Sequence, residues 1–174
     1  RRVVPMSDLF PLNLAKWVEE HRELLKPPVG NKMVWQDQEF LVMVVGGPNR
    51  RTDYHVEDGA EFFYQIEGDK VLRVMEDGEP RDIPIREGEI FLLPPLVPHS
   101  PQRFPGTVGM VVERIRRPEE KDHLRWYCEG CGEILYDESF HCTDLGTQLK
   151  PVIERFHGDE ALRTCSKCGA VMAV

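Results

Sequence analysis

The chain has 174 residues, 41% of them hydrophobic and 30% charged, and a formal net charge of −8. That length allows one ordinary domain with a small appendage, and the composition is globular rather than disordered. An acidic chain without a basic run suits neither nucleic acid nor an anionic membrane. No apolar run reaches bilayer-spanning length, and the opening RRVVPMSDLF lacks a leader-type apolar core.

The first predicted element is an amphipathic helix over residues 13–25. Asn13 suits its N-cap, and Leu14, Trp17, Val18, His21, Leu24 and Leu25 fall on one face. His21 lies inside that stripe, so packing is its expected role. Lys26-Pro27-Pro28 stops the helix. Residues 39–47 (EFLVMVVGG) form an apolar run of strand length ended by glycines. Residues 61–67 and 70–75 read as strands joined at Gly68-Asp69, which suits a tight hairpin turn. EDGEP, residues 76–80, makes the next turn, and residues 81–85 carry Pro84 and so are edge strand at best. Residues 89–94 and 108–114 complete the strands. Short strands at this spacing, with turn signals between them, predict an all-β barrel or sandwich.

Three residues in this region are placed to share one metal: His55, Glu61 and His99. Two imidazoles and one carboxylate on one face of an ion leave coordination positions open, as in non-haem Fe(II) oxygenases. The spacing adds to the residue types. Gly47 precedes His55 by eight residues, Glu61 follows it by six, and Gly68 comes seven later. Gly88, Pro94 and His99 then follow at intervals of six and five. This resembles the two-part motif of the cupin family. Three positions depart from the motif. Asp53 stands where the first His of H-x-H would be, which reduces four ligands to three. Five residues rather than three or four separate His55 from Glu61, and Leu96 replaces a usual Gly. The resemblance implies a β-dominated fold: one double-stranded β-helix, or jelly-roll, barrel over residues 1–120 with the N-terminal helix.

The charged stretch 116–122 reads as a linker or a solvated face. The segment 121–174 follows as a smaller C-terminal unit. It carries Cys128 and Cys131, then Cys165 and Cys168, each pair a C-x-x-C followed at once by Gly. Two such knuckles make a tetrahedral four-thiolate site for Zn²⁺ or a rubredoxin-like iron, closed and therefore structural. Between the pairs a helix is expected over residues 147–156. Thr147 would cap it, Leu149, Val152, Ile153 and Phe156 would face inward, and Pro151 would lie near its first turn. Cys142 has no partner pair and reads as packing. Cysteines used for metal in a chain without a secretion signal point to a reducing, cytoplasmic compartment.

Arg51 and Arg103 lie four residues from His55 and His99, a spacing that puts each on its ligand's face if the backbone is extended. A guanidinium fork suits a carboxylate. Glu113, in the last barrel strand, adds an acid; each of the three could equally be an ordinary surface residue.

The phrases KPPVGNK, VGGPNRRTDYH, EFFYQIEGD, GEIFLLPPLVPHSPQRF and WYCEGC with RTCSKC cover most of the chain. Together they resemble the 3-hydroxyanthranilate 3,4-dioxygenase family. The resemblance implies Fe(II) on His55, Glu61 and His99, substrate held by Arg103 and Glu113 with Glu61 against it, and Arg51 at the oxygen position. It implies that 3-hydroxyanthranilate and O2 become 2-amino-3-carboxymuconate semialdehyde, the precursor of quinolinate on the kynurenine route from tryptophan to NAD. It also implies a homodimer of single-cupin chains carrying a four-cysteine site, as in bacterial and fungal members. Two other readings stay open: another metal-dependent cupin, either an isomerase or a non-catalytic binding protein, and a zinc-ribbon interaction module.

Overall fold

The computed structural model describes residues 10–27, 30–36 and 39–174. The opening residues 1–9, and Pro28 of the expected helix stop, lie outside the described residues. Helix α1 (Leu14–His21) begins where expected, with the Asn13 side chain accepting from the Lys16 N–H at 2.9 Å. A 3₁₀ turn, Arg22–Leu25, replaces the rest of the predicted helix. Val18 and Leu25 pack on Val44 and Val108, covering part of the outer face of the five-stranded sheet. His21 stacks on Trp17 at 4.1 Å and its Nδ1 lies 2.8 Å from the Trp17 carbonyl, a packing role.

Eleven strands follow among the described residues, and the expected β-dominated barrel is present. They are β1 (Asn31–Trp35), β2 (Phe40–Gly46), β3 (Tyr54–Val56), β4 (Glu61–Glu67), β5 (Lys70–Glu76), β6 (Glu79–Ile85), β7 (Ile90–Leu93), β8 (His99–Arg103), β9 (Val108–Arg114), β10 (Asp122–Tyr127) and β11 (Ile134–Phe140). One sheet runs β1-β2-β9-β4-β7; the other runs β11-β10-β3-β8-β5-β6. Met43, Val45, Phe63, Leu72, Val74, Ile85, Leu93 and Val111 form the core. The glycines that end β2 are sterically required. A Cβ on Gly46 would lie 1.9 Å from the Leu25 carbonyl oxygen, and one on Gly47 would lie 2.1 Å from that of Phe104.

One expected hairpin does not form. β4 and β5 lie in different sheets, so Gly68-Asp69 carries the chain from one sheet to the other. The turn is pinned from its side: Gly68 N–H donates to Glu87 at 2.7 Å and Glu87 N–H to Asp69 at 2.9 Å. Alternation shows which residues face inward but not whether two strands pair or face each other across the interior. The true hairpin is β5–β6, turning at Asp77 (φ 52°) and Gly78 (φ 83°), both left-handed as a two-residue turn requires. Its strand β6, the one bearing Pro84, lies at a sheet edge as expected.

The charged stretch 116–122 is neither linker nor solvated face at its ends, because Arg116 and Asp122 are buried. Its far end starts β10, which pairs with β3, so the six-stranded sheet runs on into the C-terminal segment without a break in hydrogen bonding. Helix α2 (Leu145–Gly158) starts earlier than predicted and is capped by Asp144, not Thr147; the Asp144 side chain accepts from Gly146 N–H and from the Thr147 hydroxyl. Pro151 consequently sits inside the helix rather than in its first turn. The inward face is as expected: Val152 and Phe156 are buried, with Leu149 and Ile153 beside them, against Leu124 and Trp126 of β10. Phe156 stacks on Trp126 at 4.2 Å. A short helix α3 (Glu160–Arg163) leads into the second knuckle.

Candidate metal and substrate site

Both sheets contribute to the barrel site. In the six-stranded sheet His55 of β3 and His99 of β8 are direct register partners. In the other, Glu61, the first residue of β4, lies opposite Glu113 of β9. Side-chain alternation then sends all four inward, and all four are buried. Glu61 Oε1 lies 2.8 Å from His99 Nε2 and 3.4 Å from His55 Nδ1. That oxygen is buried and accepts no aligned hydrogen bond. One ligand atom from each of His55, Glu61 and His99 lies within 4.8 Å of the others.

The residues fit a metal. Each imidazole spends its other nitrogen on a fixed partner, His55 Nε2 on Asp122 Oδ2 at 2.6 Å and His99 Nδ1 on the Val97 carbonyl at 2.9 Å. This fixes the tautomer and aims the remaining lone pair at the shared point, as in metal-ligating histidines. Burial opposes ionisation of Glu61, but His99 and His55 outweigh it and hold the carboxyl well below its usual range. A carboxylate ready to bind a cation is the result. Burial also opposes charge on His55, yet the hydrogen bonds to Asp122 and Glu61 push its pKa up to about 9. A metal ion at this point would replace that proton.

Arg51 precedes β3 and is held by Asp53, with Nε 3.1 Å from Oδ1 and an end nitrogen on Oδ2. Asp53, at the motif position of a fourth ligand, therefore anchors a cation instead. Arg103 ends β8. Burial and the Arg51 charge pull its pKa down to about 10, against Glu61. Its Nε is buried and has no hydrogen-bond partner. Glu113 is buried, not on the surface; burial and Glu61 raise its pKa, opposed by Arg116, whose guanidinium it accepts from.

Four contributors escaped the sequence reading. Asp122 and Arg116 were hidden in a charged run that reads as solvated. Glu57 is buried beside them, its carboxyl pushed up to about 12 by burial and by Glu113 and Glu61. Lys70, buried at the start of β5, places its ammonium 3.7 Å from the centre of the Phe63 ring. No spacing rule marks Asp122, whose partner His55 is 67 residues away, and none marks the others within their local stretches.

The four knuckle cysteines come together as a second candidate metal site. Cys128 and Cys168 Sγ are 3.6 Å apart, as are those of Cys131 and Cys165. Tetrahedral Zn–S bonds of about 2.3 Å imply S···S distances of roughly 3.8 Å. Gly132 and Gly169 take φ of 72° and 76°, and their N–H groups bond back to the Cys128 and Cys165 carbonyls, which closes each knuckle. Cys142 is buried apart from them, its thiol pushed up to about 12 by burial and by Asp122.

A family model described as 3-hydroxyanthranilic acid dioxygenase matches residues 6–157. A protein of Xanthomonas oryzae pv. oryzae named 3-hydroxyanthranilate 3,4-dioxygenase is 58% identical over 159 residues, covering 91% of this chain and 90% of that protein. One of the same name from Neurospora crassa is 56% identical over 161 residues, covering 92% of this chain and 89% of that protein. Among solved structures, a cupin-2 domain containing protein from Shewanella frigidimarina aligns with a TM-score of 0.47 and 17% identity, covering 55% of this chain and 90% of that one.

Proposed function

Because the chain belongs to the 3-hydroxyanthranilic acid dioxygenase family, we propose that its barrel site opens the ring of 3-hydroxyanthranilate with O2, giving 2-amino-3-carboxymuconate semialdehyde, the precursor of quinolinate. The observation that carries the reading is the buried, tautomer-fixed set of two imidazoles and one carboxylate with two guanidiniums beside it. We assign Fe(II) to His55, Glu61 and His99. Bound there, Fe(II) supplies redox access to O2 and polarises the substrate.

The chain's own residues do the rest. Arg103 offers the substrate carboxylate its planar fork, and its unpartnered Nε is available for that bond. Glu113 accepts a hydrogen bond from the ring hydroxyl or amine and takes its proton; burial and the neighbouring Glu61 raise its pKa, which makes it a stronger base than an exposed carboxylate. Arg51, fixed by Asp53, keeps a positive charge at the oxygen position. Burial of His55, Glu61, His99 and Glu113, with both guanidiniums partly buried, limits water and strengthens each interaction. The four-cysteine tail, with Zn or Fe, is assigned a structural role.

A homodimer is supported by the outer face of the five-stranded sheet. There Trp35, Val42, Val112, Phe62 and Leu92 lie in register across all five strands. Trp35 is 52% exposed and Leu92 63%. A continuous apolar row of this kind marks an interaction surface. The five thiols, none in a disulfide, suit the cytoplasm. Among the described residues, no helix is long and apolar enough to cross a membrane.

The test is anaerobic loading with Fe(II), then addition of air and 3-hydroxyanthranilate, with the near-ultraviolet spectrum followed. A new absorbing product that depends on iron and is absent in His99→Ala is expected. An iron-loaded protein that leaves the substrate intact would defeat the reading.

A further inference from the structure

Arg116 lies just past β9 and is buried. Its guanidinium is the cation of an acidic pocket, for Glu57, Glu61 and Glu113 offer oxygens within 4.8 Å of one another. Nε donates to Asp122 Oδ1 at 2.9 Å and one end nitrogen donates to Oδ2 at 2.6 Å. That same nitrogen lies 2.9 Å from Glu57, and the other end nitrogen bonds Glu113. Asp122, fully buried, in turn holds His55 Nε2 at 2.6 Å. One rigid planar group thus reaches both a candidate metal ligand and the candidate substrate acid, through His55–Asp122–Arg116–Glu113.

We propose that Arg116 is a positioning residue for the ring-cleavage reaction: through Asp122 it orients the metal-ligating His55, and directly it orients the substrate-facing Glu113, so that metal binding and substrate binding are coupled through one guanidinium. This rests on the site reading above. The fork geometry is essential. A bidentate hold on Asp122 and a simultaneous bond to Glu113 need a planar group with several fixed donors, which a lysine ammonium cannot supply. Asp122 acts on the imidazole as the outer partner of a metal-bound histidine does, and loss of such a partner lowers metal affinity about 10- to 100-fold.

The experiment compares wild type, Arg116→Lys and Asp122→Asn, each with the four-cysteine site already filled. Fe(II) affinity of the barrel is measured by anaerobic titration, KM and kcat at saturating iron, and Tm by calorimetry. Arg116→Lys is expected to lower Fe(II) affinity about tenfold or more and also to raise KM. Asp122→Asn, which keeps the side-chain shape, should lower Fe(II) affinity with a smaller effect on KM. In the double variant the two losses in Fe(II) affinity should be less than additive, since both act along one chain of contacts. A lowered Tm with unchanged Fe(II) affinity and KM would make Arg116 a mere brace and overturn the proposal. So would an Fe(II) affinity lost in Asp122→Asn but kept in Arg116→Lys. Wild-type protein that binds no iron in the barrel or leaves the ring intact would instead overturn the functional reading beneath it.

Discussion

Lys70 and Arg103 face each other across β5 and β8, direct register partners with both side chains turned into the barrel. Like charges directly opposite in a sheet are destabilising. Among the described residues neither side chain has a carboxylate partner in an ion pair, and burial together with Arg103 holds the Lys70 ammonium well below its ordinary value of 10.5. An anionic substrate would relieve this arrangement. Lys70→Met is therefore expected to have two opposite effects. Affinity for 3-hydroxyanthranilate should fall, because a carboxylate bound nearby favours the charged form of Lys70 and gains from it, by roughly 1–3 kcal/mol for a charge several ångströms away at an effective dielectric near 20, about fivefold or more. Affinity for 2-aminophenol, which lacks the carboxylate, should not. Stability should rise. A lysine whose folded pKa is lowered destabilises the fold at pH below that pKa, and the penalty fades as pH climbs toward 10.5. The gain in Tm should thus be larger at neutral pH than in alkali. Equal losses for both ligands would remove the charge argument.

The sequence made some of this legible and hid the rest. His55, Glu61 and His99 could be found because barrel strands and their glycines repeat at recognisable spacings. The cysteine knuckles could be found because C-x-x-C-G encodes a local turn. Asp122 and Arg116 could not. Their role depends on β10 pairing with β3, a contact between residues about 70 apart, and local composition says only that the stretch is charged. The same limit explains the misplaced hairpin at Gly68-Asp69. Inward parity is a local property, whereas the choice of sheet is set by distant partners, β9 for β4 and β8 for β5.

Arg103→Ala should mainly weaken substrate binding. It removes a charge-assisted hydrogen bond worth about 1.5–3 kcal/mol, roughly tenfold to a hundredfold in affinity. Arg103→Lys should rescue only part of the loss, because a point charge lacks the fork. Steady-state kinetics at saturating iron decide it, and an unchanged KM in the alanine variant would withdraw Arg103 from the carboxylate.

Leu92→Glu tests the outer face of the five-stranded sheet. Leu92 is 63% exposed at its edge strand, so the substitution leaves the barrel core untouched. Ultracentrifugation should show a dimer in the wild type and a monomer in the variant, with iron binding retained. A variant that stays dimeric would move the interface elsewhere.

The four-cysteine site should be separable from the chemistry. Four thiolates fill a tetrahedral ion, so no position remains there for oxygen or substrate. Its contribution is to closure of the tail, where two knuckles far apart in the chain cost loop entropy that a bound metal offsets. Near the second knuckle, α3 and the Thr164–Val171 bridge supply little else, for α3 has no buried residue. Helix α2 is anchored differently, by Phe156 and Val152 on Trp126. Replacing Cys165 and Cys168 with Ser should therefore release one metal ion per chain and expose the end of the tail to protease. The Phe156–Trp126 stack, and with it the Trp126 environment, should survive. Turnover per barrel iron should persist. If turnover is lost while limited proteolysis and tryptophan fluorescence show tail and barrel intact, the thiolate site takes part in the reaction and the structural assignment fails.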